Sequence, residues 1–202
     1  MNEMITLHWL DLRTTALSAT RRGWPVVPGT FPTPERRWHG RDDATTLAPI
    51  QDSWQNSLVT DPDHAYDIWR QHPYGVLLVC GRGVDVLQLP YRLESLLPAL
   101  PAAGLVVPVA LSGPPPRWEL FVATDSGTLL PELHLASVRR HGAGAWVALP
   151  PTTLPHMVPA RWIAPPPSTA GRPLPNAQEV QQVLLDALLR SGLARRPDDD
   201  DE

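Results

Sequence analysis

Apolar residues along this chain fall in short runs parted by proline, glycine and polar residues, and their spacing changes from run to run. From Leu10 to Arg22, Leu10, Ala16, Leu17 and Ala19 recur at helical spacing, and the basic residues and Gly23 of RRGWPVVPG close that helix. WPVVP is β-branched and bracketed by prolines, which predicts a strand of about four or five residues at a sheet margin. GTFPTPERRWHGRDD then reads as a polar, proline-broken loop. Short helices are predicted around 47–57 and 61–71, the second with Asp61 at its N-cap and Pro62 at its first position, and Trp54, Ile68 and Trp69 turn to the core. The two apolar runs of GVLLVCGRGVDVLQLP, separated by GRG, predict a β-hairpin.

YRLESLLPALPAAG reads as a helix of about nine residues that ends near Pro98. Three strands follow in LVVPVAL, RWELFVAT and GAWVALPPT and make the second half of the sheet; the middle one alternates Trp118, Leu120 and Val122 against Glu119, Phe121 and Ala123. A last helix spans Asn176 to Arg190, with Val180, Val183, Leu184 and Leu188 in one stripe and Gly192 as its stop. RRPDDDDE predicts a solvated tail over 194–202, since like charges repel and have nothing to bury. The pattern is that of an α+β domain over 1–193, with a mixed β-sheet, helices packed on one face and an open cleft on the other.

Composition narrows the partners. A formal net charge of -4 gives no global attraction to phosphate backbones or anionic membranes, so any nucleic-acid contact must be local. All 17 basic residues are arginine, the signature of a GC-rich bacterial genome. A lone Cys80 excludes an intramolecular disulfide; with no secretory h-region and no apolar run of about 18 residues, a cytoplasmic protein away from membranes is expected.

Local chemical motifs are few. His8, His39, His64, His72, His134, His141 and His156 show neither HExxH nor CxxC-type spacing, so no zinc site is expected. Cys80 lies inside an apolar run and reads as a core thiol, and the GRG at 81–83 has no lysine behind it and reads as a turn, not a phosphate cradle. Arg82, Arg117, Arg139 and Arg140 are candidate phosphate ligands, because guanidinium groups bind phosphate bidentately. Among the tryptophans Trp24, Trp38, Trp54, Trp118, Trp146 and Trp162, Trp118 is the first candidate for stacking a base.

The order of these parts carries more information than any one of them. A helix ending RRGWPVVPG, a loop reaching RDDATT, then HPYGVLLVCGRGVDVLQLP, PRWELFVA, HGAGAWVALPPT and RWIAPP resembles the N-terminal domain of the bifunctional DNA primase/polymerase (prim-pol) family of the archaeo-eukaryotic primase superfamily, over roughly residues 12–190. The resemblance implies a two-metal nucleotidyl transferase of DNA replication, in which acidic side chains hold divalent ions. Its first motif is Asp-x-Asp at the end of the strand after the glycine turn, where this chain has Gln88 and Pro90; its second is a histidine, where this chain has Trp118. A third acidic residue is expected before HGAGAWVALPPT, a region that offers His134, Ser137 and arginines.

Glutamine offers a carbonyl without charge and proline offers no side-chain ligand, so the resemblance implies a prim-pol fold without its metal-binding acids or catalytic histidine. The expected protein needs no cofactor and is a stand-alone module binding single-stranded DNA, a nucleotide or a protein partner. Two alternatives stand beside it. One is a divergent primase/polymerase that uses Mg or Mn through other carboxylates, such as Asp85 with Glu119 or Glu132; the other is a pure protein-interaction domain, favoured by the acidic charge and DDDDE. Strand parity separates Asp85 from Gln88 and predicts a solvent or hairpin position for Asp85.

Overall fold

The computed structural model describes residues 3–167 and 173–192; the expected tail over 194–202 lies outside the described residues. In chain order the elements are α1 (Glu3–Arg21), β1 (Val26–Gly29), β2 (Phe31–Pro32), β3 (Trp38–His39), α2 (Pro62–Trp69), β4 (Gly75–Val79), β5 (Val84–Pro90), α3 (Ala99–Ala102), β6 (Val109–Ser112), β7 (Arg117–Ala123), α4 (Pro131–Leu135), β8 (Arg139–His141), β9 (Trp146–Ala148), β10 (Arg161–Ala164) and α5 (Ala177–Ser191). The class is α+β. The strands form a small sheet in the order β1-β4-β9, a large one in the order β10-β6-β7-β5-β8, and the β2-β3 ribbon, and all these pairings are antiparallel.

Local signals placed the helix ends well. Asp61 accepts from the His64 amide at 2.9 Å with Pro62 behind it, and Asn176 accepts from the Gln178 and Glu179 amides at 2.8 and 3.3 Å, so donors with no partner inside the helix are satisfied. Gly192 closes α5 in the left-handed region at φ 69°. α1 begins well before Leu10, and the Trp9 indole ties it to α2 by donating to the Trp69 carbonyl at 2.6 Å.

Three expected elements came out differently. The helix around 47–57 is reduced to one 3-10 turn, Trp54–Asn56, because the segment pairs its backbone with β1 and its extension: the Thr30 amide donates to Ala48 and the Ile50 amide to Pro28. The helix after β5 is a 3-10 turn over Tyr91–Leu96 followed by the short α3, with Pro98 between them. The hairpin across GRG is a turn without a hairpin. Val79 pairs with Trp146 in the small sheet while Val84 pairs with Ala123 in the large one, so β4 and β5 leave the turn for different partners. For the same reason β9, expected in the second half of one sheet, edges the small sheet. The short β8 and α4 gave no readable periodicity.

The core lies on both faces of the large sheet. Val84, Val86, Ala110 and Phe121 pack with Leu12, Ala16, Trp69, Val26, Val76 and Leu78, which joins α1, α2 and the small sheet to one face. On the other face Leu87, Leu89, Trp118, Leu120 and Val122 pack under Leu93, Leu96, Leu100, Leu133, Val180, Leu184 and Leu188. Helices therefore cover both faces, divided between these two clusters. Each Leu, Val or Phe buried this way contributes about 1.5–3 kcal/mol. A third cluster, with Val27, Leu77, Val79, Ala148 and Leu154, covers the opposite face of the small sheet.

Candidate functional site

The apolar face shared with α1 turns polar at one end of β5 and β7. Register sets Gln88 opposite Glu119 on β7 and opposite Arg139 on β8, and it sets His141 opposite Val86, so all four residues lie on one face. Ser112 on β6 completes the group by donating to Glu119 Oε1 at 2.8 Å, and the Gln88 amide lies 3.4 Å from the same oxygen. Between this patch and the small sheet lies a hollow of about 280 Å³, closed on its far side by Trp146, Ala148, Leu154 and His156.

Glu119 dominates the electrostatics of this hollow. It is 4% exposed, and its Oε2 has no hydrogen-bond partner among the described residues. Burial pushes its carboxyl above the ordinary range, against the smaller opposing effect of the bonds from Ser112 and Gln88. The Nε2 of His141 is likewise buried without a partner, and burial together with nearby Arg139 holds this imidazole below its ordinary range, towards the neutral form. His156 closes the hollow from a left-handed backbone at φ 67°, a conformation that costs a non-glycine residue about 1–3 kcal/mol.

Pro90 follows Gln88 on the same face and pairs with Arg117 at the start of β7. Trp118 does not share that face. It pairs with Leu89, is 4% exposed, stacks on Tyr91 at 5.5 Å and donates its indole N–H to the Tyr91 carbonyl at 3.3 Å. The parity of β7 thus turns Glu119, not Trp118, towards Gln88. Of the other tryptophans, Trp24 and Trp162 pack on Phe121, at 5.6 and 5.0 Å, and Trp146 lines the hollow.

The four arginines separate. Arg117 and Arg139 flank the Gln88 face, with Arg139 exposed. Arg82 is exposed in the β4–β5 turn, beside a different hollow bounded by Trp54, Cys80 and Gly144. Arg140 is on the α5 face and is fully engaged. Its Nε and Nη2 donate to Asp85 Oδ2 at 2.8 and 2.6 Å, Nη2 also reaches Asp125 Oδ1 at 2.9 Å, and Nη1 donates to the Gly127 carbonyl. Asp85, expected in solvent, is 2% exposed and also accepts from the Gly81 amide at 3.0 Å and the Thr124 hydroxyl at 2.8 Å. Its position beside the glycine turn predicts exposure, whereas the side chains that bury it, Thr124 and Arg140, lie 39 and 55 residues away. Cys80 is 1% exposed, and burial pushes its thiol up to about 12.

These features define an α+β domain with a hollow between two antiparallel sheets, one wall of it polar and set at the end of a central strand that follows a glycine turn. The family described as bifunctional DNA primase/polymerase, N-terminal, matches residues 16–177. The chain belongs to this family. No curated protein matches it.

The two metal ions implied by the family do not fit the residues on this face. The positions at the end of β5 hold an amide and a proline, and the one carboxyl beside them is buried and pushed towards neutrality. Asp85 and Glu119 lie on opposite faces, so they do not converge. Among the described residues no group of three or more His, Cys, Asp or Glu is placed to hold a metal ion. In the sequence Glu119 reads only as a displaced metal ligand and His141 only as one of seven histidines without metal-ligand spacing, and Ser112 carries no signal. The readable signal was one carboxylate within the otherwise apolar WELFVA run.

Proposed function

We propose that this domain keeps the prim-pol fold without polymerising chemistry and binds single-stranded DNA or a nucleotide, without a divalent cofactor, on the face that carries Gln88, Glu119, Arg117 and Arg139. The observation that carries this reading is Glu119. A hard cation is held by several charged oxygens, whereas this face offers a single carboxyl, buried and pushed by that burial above the ordinary carboxylate range. Arg117 and Arg139 supply local positive charge to an acidic chain.

Incubation with Mg or Mn, nucleoside triphosphates and a primed or unprimed single-stranded template should give no extended product. Titration of an oligothymidylate in EDTA, followed by tryptophan fluorescence, should show binding that weakens with salt. If each of the two arginines meets one phosphate, the slope of log K against log salt is about -1.4. Metal-dependent synthesis that Glu119→Gln abolishes would overturn the proposal in favour of a divergent polymerase. Absence of any fluorescence change at low salt would favour a module that binds a protein partner instead.

A further inference from the structure

The hollow beside Glu119 has a lining unusual for a phosphate-handling site. At about 280 Å³ it is many times the volume of one water, about 30 Å³, and just below the range of about 300–1,000 Å³ that takes drug-sized ligands. A single ring system matches that scale. One wall is apolar or aromatic, with Trp146 and Leu154; the other is hydrogen-bonding, with Gln88, Ser112, Glu119 and His141. Among the described residues no arginine lines it.

Among the described residues, two polar atoms of this wall are buried without partners, Glu119 Oε2 and His141 Nε2. Leaving such an atom unsatisfied is costly, and a ligand that bonds to it recovers that cost. Glu119 Oε1 is already engaged by Ser112 and Gln88, so the carboxyl presents Oε2 in a fixed orientation. In its neutral form that oxygen donates to a ring nitrogen or a keto group. Because the Gln88 N–H group is directed to Glu119, its carbonyl remains to accept from an adjacent N–H. A neighbouring donor and acceptor beside an aromatic wall is the complement of a nucleobase edge.

We propose that this hollow receives one nucleobase, of a nucleoside, a nucleotide or an unstacked base of a single strand, read by Glu119 and Gln88 beside Trp146, with any phosphate left outside near Arg139. This rests on the binding function proposed above but reverses what the family's metal chemistry implies, since the base and not the phosphate group enters the space beside Gln88.

The experiment is calorimetric titration of the full chain, in EDTA, with adenosine, guanosine, cytidine and thymidine, their 5′-monophosphates, and ribose 5-phosphate. At least one nucleoside should bind, its monophosphate should bind no more than about tenfold tighter, and ribose 5-phosphate should give no heat. Glu119→Leu should lose at least tenfold in nucleoside affinity, whereas Glu119→Gln, which keeps the shape and a donor, should stay within about threefold. Gln88→Leu, at a partly exposed position, gives a second variant, with a loss of similar size, should Glu119→Leu not fold. Ribose 5-phosphate binding as well as the nucleotides, or nucleoside affinity unchanged in both leucine variants, overturns the base pocket. Binding of oligothymidylate with no nucleoside binding at millimolar concentration overturns it as well, while leaving the broader function standing.

Discussion

Replacing Arg140 by methionine separates its structural role from the phosphate-binding role that its sequence position suggests. The change strips Asp85 Oδ2 of both donors, at 2.8 and 2.6 Å, while Oδ1 keeps the Gly81 amide and the Thr124 hydroxyl. The side chains of Asp85, Arg140 and Asp125 are 2%, 11% and 15% exposed, so water repairs little of the loss at Asp85. Removing one partner of a buried ion pair costs about 3–5 kcal/mol, and the bonds retained at Oδ1 place this case near the lower end, about 3 kcal/mol. At about 2–4 °C per kcal/mol for a domain of this size, the melting temperature should fall by about 6–12 °C.

Urea unfolding followed by tryptophan fluorescence gives the free energy, and oligothymidylate titration of the same folded sample gives the affinity. Affinity should be unchanged, because Arg140 lies on the α5 face, away from Gln88. Adding Asp85→Asn should recover part of the lost stability, since asparagine can keep the Oδ1 bonds without stranding a charge. A destabilisation below about 1 kcal/mol, or a folded variant that has lost DNA affinity, would refute the structural assignment.

Two further outcomes follow from the buried titratable groups. The folded carboxyl of Glu119 lies above the unfolded value near 4.5, so the native state holds the extra proton between the two values; its contribution to stability is full below the lower value and is lost as pH rises through the higher one. The stability of the wild type relative to Glu119→Gln should therefore decline from pH 4.5 upward and then level off, with the contribution of His141 cancelling in the difference; a rising difference would contradict the burial argument. The thiol of Cys80, pushed up to about 12, is thiolate in about one part in ten thousand at pH 8, so an aromatic disulfide reagent should label it only through opening of the fold, at a rate that climbs with urea. Labelling of the native protein as fast as of the unfolded chain would place Cys80 at the surface.

The sequence by itself determined the features encoded within a few residues. Asp61-Pro62 and Asn176 start helices, Gly192 stops one, and the glycines of GRG turn the chain, because capping bonds and positive-φ backbone are local chemistry. Gln88 and Pro90 at the end of β5 were legible for the same reason, as was the α+β order of parts that carries the family resemblance.

Only the tertiary structure decided which strands pair and which way their side chains face. β4 and the first residues of β5 are buried on both faces, so they read as unbroken apolar runs and carry no alternation from which to infer a partner. Glu119 faces Gln88, and Asp85 meets Arg140 across 55 residues, through registers that no stretch of sequence specifies alone. One residue of parity on β7 puts a tryptophan into the α5 core and a carboxyl into the hollow, since a strand reverses its side chains at every step and only packing fixes the side they take.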